Sequence, residues 1–117
     1  MCRATAKEAQ EYHAYYADKK ADWPAVDRLM ELQGLHAKSF PPEAFKLFRN
    51  RFAAGHGVYP LVGDPDQVAD GLETISKAGF AGTTVTFVNY VDELPYFRDE
   101  VLPRLEAKGL RQKVKPL

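Results

Sequence analysis

Apolar positions along the chain follow two rhythms. Over residues 6–55 they recur at helical spacing, in three stretches bounded by stop and start signals. Over 59–62 and 83–89 they crowd into short runs rich in β-branched and aromatic residues. Thr5-Ala6-Lys7-Glu8 is a capping box, so the first helix starts at Ala6. Ala9, Tyr12 and Tyr16 share a face of it with His13, while Glu8, Glu11, Lys19 and Lys20 lie on the solvated side. Asp22 caps a second helix with Trp23 and Pro24 in its first turn, and Val26, Leu29, Met30 and Leu32 carry it to Gly34. Pro41-Pro42 opens a third, with Phe45, Leu47, Phe48 and Phe52 as a wide apolar face, broken by Gly55-His56-Gly57.

The second half reads as strand, helix, strand, helix. Tyr59–Val62 is a short apolar strand closed by Gly63. Asp64 caps the next helix, Pro65 takes its first position, Gln67 stands three after the cap, and Val68, Leu72 and Ile75 form the stripe. Gly79 ends it. Thr83–Asn89 is the second strand. Asp92 caps a last helix striped by Leu94, Phe97, Val101 and Leu105 and ended by Gly109. Two strands joined by an amphipathic helix are parallel neighbours, so the unit is β-α-β-α. It is a quarter of an eightfold barrel or a slice of an open doubly wound sheet, and either places function at the strand carboxyl ends, Gly63–Asp64 and Val88–Tyr90.

Two strands cannot close a barrel, and a lone parallel pair leaves both edges open. Cys2-Arg3 before the first cap has the look of a strand end. The expectation is the C-terminal part of a larger α/β domain, or a chain that completes itself by oligomerising.

Composition narrows the partners. With 117 residues the chain is one domain at most, and 45% hydrophobic with 27% charged residues is an ordinary globular balance. Sixteen acidic residues offset 16 basic ones, so no field favours nucleic acid or an anionic membrane. The one cysteine, Cys2, excludes an internal disulfide framework and a cysteine metal cluster, and fits a reducing cytosol. No apolar run nears the roughly 20 residues of a membrane span, and no signal-peptide core follows Met1. A cytoplasmic protein is expected, with no metal, nucleic-acid or membrane partner.

Several ordered segments carry a family resemblance. Leu61-Val62-Gly63-Asp64-Pro65-Asp66-Gln67-Val68-Ala69, then Ala78-Gly79-Phe80, then Glu100-Val101-Leu102-Pro103-Arg104-Leu105, resemble the last turns of luciferase-like, flavin-dependent monooxygenases. Cys2-Arg3-Ala4-Thr5 with Glu8-Ala9, and Ala37-Lys38-Ser39-Phe40, resemble the branch that includes alkanesulfonate- and pyrimidine-type monooxygenases. The resemblance implies an α/β fold: the C-terminal βαβα part of a (β/α)8 TIM-type barrel, preceded by three helices. Residues 1–57 would be a helical insertion region, 58–110 the last two β/α units, and 111–117 a frayed basic tail. It implies reduced flavin mononucleotide (FMN) at the strand carboxyl ends, dioxygen activated there, and the residues that hold the flavin phosphate lying upstream of these units.

Candidate chemistry follows from those positions. Asn89 and Tyr90, at the end of the second strand, would contact substrate or flavin; otherwise Asn89 is a turn residue and Tyr90 packs on the next helix. His36 and Ser39, with Lys38 between them, sit in the connector that the resemblance places near the active-site opening. The free N–H groups after Gly63 suit an anion, but Asp64 caps them and repels one. His56, between two glycines, reads as an exposed loop histidine, and His13 as a helix-face residue. Tyr12, Tyr15, Tyr16 and Trp23 read as packing aromatics. No phosphate loop, dinucleotide fingerprint, zinc-protease or nucleophile-elbow motif is present. The functional expectation is a C-terminal portion of a reduced-flavin monooxygenase that oxygenates a small organic substrate. The alternative is a non-catalytic α/β module that self-associates or docks to a partner chain through an open sheet edge.

Overall fold

The computed structural model describes residues 1–113; the expectation of a frayed tail falls partly on 114–117, outside the described residues. It is a helical protein: among the described residues there is no strand and no sheet, so the βαβα barrel portion is not formed. The helices are α1 (Ala6–Ala14), α2 (Trp23–Leu32), α3 (Pro42–Gly55), α4 (Pro65–Lys77), α5 (Tyr90–Tyr96) and α6 (Leu102–Ala107). A π-helical turn, Tyr15–Lys19, continues α1, and another, Phe97–Val101, joins α5 to α6.

Most helix boundaries lie where the caps place them. Thr5 Oγ1 accepts from the Glu8 N–H, and a Glu8 carboxylate oxygen accepts from the Thr5 N–H, both at 3.2 Å. Asp22 Oδ1 accepts from the Ala25 N–H at 3.1 Å. Asp64 and Gln67 cap each other's backbone N–H groups at 2.9 and 3.1 Å. His56 takes a left-handed φ of 60° to end α3. One boundary differs. Asn89, not Asp92, caps α5, its Oδ1 accepting from the Val91 N–H at 3.0 Å.

The expected strands fail for want of neighbours. Thr83–Val88 carries the β-branched residues that favour an extended chain, but that preference is for a pleated surface among other strands. Tyr59–Val62 likewise forms no strand. Among the described residues, what exists of a ladder is a single parallel bridge between Cys2 and Gly63. Gly63 N–H donates to Met1 O at 3.1 Å, Arg3 N–H donates to Gly63 O at 3.2 Å, and the Met1 ammonium donates to Leu61 O at 2.6 Å. An isolated pair this short is too small to stand as a sheet.

The chain divides into two compact units, Met1–Gln10 with Leu61 onward, and Glu11–Pro60. In the first, Cys2, Val68, Ala69, Leu72, Phe97 and Val101 form a core, flanked by the half-buried Leu61, Ile75 and Leu105. The α4 stripe packs against the Phe97–Val101 turn and α6. Each fully buried aliphatic side chain contributes about 1.5–3 kcal/mol there. Gly71 has a specific place in this packing: a Cβ on it would stand 2.5 Å from Leu61 Cδ2. In the second unit Ala17, Val26 and Met30 are buried, and α3 packs on α2 and the Tyr15–Lys19 turn without burying any side chain fully.

Candidate functional site

Thr83–Val88, outside any helix, is poor in backbone hydrogen bonds. Among the described residues, the backbone N–H groups of Thr84, Val85, Thr86 and Phe87 have no hydrogen-bond partner. Residues 81–86 are exposed, as are Phe80 and Val88, while Phe87 alone turns inward, 5.5 Å from the Phe97 ring. Beside it α5 leaves Tyr90, Val91 and Leu94 exposed, Val91 by 81%. Apolar residues left singly at a surface are normal, whereas this stretch is contiguous in sequence and bare in its backbone.

Glu93 fixes the backbone where this segment meets α5. It is only 6% exposed. Its Oε2 accepts from the N–H groups of Val88 and Asn89 at 3.0 and 3.1 Å, and its Oε1 accepts from Arg3 Nη2 at 2.8 Å. One carboxylate therefore closes the amino end of α5 and neutralises a guanidinium. The sequence singles out Asp92 beside it; the acid that does this work is one residue later, facing inward.

The expected site residues fall at a helix start and at a 3-10 turn. Asn89 spends its amide on the α5 cap and on Asp92, to which Nδ2 donates at 2.7 Å. It stands at a helix start, not at a strand end. Tyr90 is half exposed, its ring edge-on to Phe87 at 5.4 Å. His36 and Ser39 bracket a single 3-10 turn in the second unit, with Ser39 N–H donating to His36 O at 2.9 Å, and both are exposed. The two pairs thus belong to different units. His56 Nε2 accepts from the Gln33 amide at 3.1 Å, which seats it at the end of α3.

The second unit contains a cleft of about 480 Å³ whose polar lining comes from His13, Asp18, Lys46, Arg49 and Asn50, with Trp23 beside them. Helical spacing assembles it. His13, Ala14, Ala17 and Asp18 share one face over α1 and its π-helical continuation, and Lys46, Arg49 and Asn50 share a face of α3. Arg49 forms a two-pronged ion pair with Asp27, at 2.6 and 2.9 Å, and its guanidinium lies 4.1 Å from the Trp23 ring centre. That pairing holds the Asp27 carboxyl below the usual range. Burial lowers the pKa of His13, and its Nε2 is buried without a partner among the described residues. A helix-face residue in sequence, His13 lines this cleft; the signal was its spacing of four and five residues from Ala17 and Asp18.

Among the described residues no group of three His, Cys, Asp or Glu side chains is placed to hold a metal ion, and no helix is long and apolar enough to cross a membrane. Comparison of the chain with protein-family models, with curated proteins and with solved structures gives no match.

Proposed function

We propose that the chain is a non-catalytic association module, and that its first unit pairs with a second copy of itself through Thr83–Val88. The observation that carries this is the unpaired backbone of that segment: among the described residues the N–H groups of Thr84–Phe87 have no partner, and five of its six residues, Thr83, Thr84, Val85, Thr86 and Val88, are β-branched. Another extended strand satisfies those donors and acceptors in register, which neither a helix nor a small molecule does. A second copy supplies an identical segment about a two-fold axis, antiparallel to the first. Balanced charge, 16 acidic against 16 basic residues, leaves no long-range repulsion between copies. A cytoplasmic setting goes with this reading, supported by a lone cysteine that is free and buried.

Sedimentation tests it. Wild type dimerises in a concentration-dependent way, and Val85→Pro, which removes a central N–H donor of the ladder from each copy, weakens the dimer at least about a hundredfold. Thr74→Lys, on the exposed side of α4, leaves it unchanged. A chain that stays monomeric up to about 1 mM overturns the proposal.

A second reading has the chain contribute to a reduced-flavin-dependent monooxygenase that oxygenates a small organic substrate with dioxygen. It is supported by the resemblance of Leu61–Ala69 and Glu100–Leu105, and by the backbone pairing of Cys2 with Gly63 just before the capped Asp64 turn. FMN would be its cofactor. If this chain holds FMN alone, a hundredfold excess over the dissociation constant raises stability by about 2.7 kcal/mol, and no shift removes the reading for the isolated chain.

A further inference from the structure

The cleft of the second unit contains two charges that the protein itself does not use. Arg49 is committed, its charge offset by Asp27 and its plane held on Trp23. Lys46 and Asp18 also line the cleft, one a cation and one an anion, and neither has an ion-pair partner among the described residues. Asn50 adds an amide able to donate and to accept. His13 adds a buried ring nitrogen that has no hydrogen bond. Ala14, Ala17 and Trp23 supply apolar wall.

We propose that this cleft binds a small zwitterion, a free α-amino acid with an apolar side chain, through Lys46 and Asn50 to its carboxylate and Asp18 to its ammonium. The charge count selects this class. A ligand bearing only negative charge meets the Asp18 carboxylate uncompensated; one bearing only positive charge meets Lys46. A ligand with both matches both. His13 adds no third charge to this balance, because its burial disfavours the protonated ring. As a neutral ring it accepts from the ammonium or donates to the carboxylate, according to tautomer, and so gains the partner it lacks. The apolar side chain lies against Ala14, Ala17 and Trp23. The volume falls within the roughly 300–1,000 Å³ of ordinary small-molecule sites.

Trp23 is the chain's single tryptophan, so its fluorescence reports on this cleft directly. Three probes separate the charges: leucine carries both, leucine methyl ester only the ammonium, and N-acetyl-leucine only the carboxylate. Titrated by fluorescence and by calorimetry, leucine saturates with a Kd below about 1 mM, and each singly charged analogue binds at least about tenfold more weakly. Lys46→Ala weakens leucine about tenfold and narrows its advantage over the methyl ester. Asp18→Asn does the same against N-acetyl-leucine. Both side chains are exposed, so the variants keep the fold, which circular dichroism checks. Absence of saturable leucine binding, equal affinity for the three probes, or unchanged leucine binding in both variants overturns the proposal.

Discussion

Cys2 shows how one side chain ties local geometry to solution behaviour. It lies in the core of the first unit, its backbone paired with Gly63, and the residue is 7% exposed. Burial disfavours the thiolate and pushes the pKa from 9.0 up to about 11. An acid whose pKa rises on folding stabilises the native state fully below its unfolded value, and that contribution fades as pH climbs to the folded one. Stability is therefore expected to fall between pH 9 and about 11 in the wild type. Cys2→Ala, though less stable at neutral pH for lack of the sulfur's packing, has a flatter profile across that interval. Urea midpoints measured at each pH compare the two slopes, and parallel slopes would remove burial of the thiol as the cause. The same burial leaves Cys2 slow toward thiol reagents at neutral pH, since the thiolate is the nucleophile.

At the scale of elements, what could be read from sequence was whatever depends on near neighbours. The Thr5–Glu8 and Asp64–Gln67 boxes, the Asp22 cap and the helix break at Gly55-His56-Gly57 involve residues within a few positions of each other, and each forms. Asp64→Ala removes the oxygen that holds the Gln67 N–H and costs about 1 kcal/mol in urea denaturation; Gln67→Ala added to it costs less than it does alone, because the box is already open. The strands were not legible in the same way. Extended backbone follows from β-branched residues, but a strand is a relation to another strand, and nothing within Thr83–Val88 specifies one. The α5 cap was misplaced for a related reason. Asp92 and Asn89 are both good cap residues three positions apart, and the buried Glu93, reaching back to the Val88 and Asn89 N–H groups, decides between them. At the cleft, the residue types were visible but not their meeting, since His13 and Lys46 lie on helices separated by a whole intervening helix in sequence.

For the whole molecule, the two units differ in how much they bury, and that difference predicts how each one opens. The first has six buried core residues from the amino terminus, α4 and the Phe97–Val101 turn, backed by half-buried neighbours. The second has Ala17, Val26 and Met30, and α3 buries no residue fully in spite of its three phenylalanines. Amides open with the free energy of the packing that must be lost, so a helix without buried side chains exchanges through small, cheap fluctuations. Hydrogen exchange should therefore find α4 and the Phe97–Leu105 stretch protected longest and α3 exchanging well before them. Equal protection of α3 and α4 would mean that the two units unfold as one. The Thr84–Phe87 amides complete the measurement. Unpaired in a single copy, they exchange fast in dilute protein; if a second copy pairs with them, their protection rises with concentration while that of α3 stays where it was.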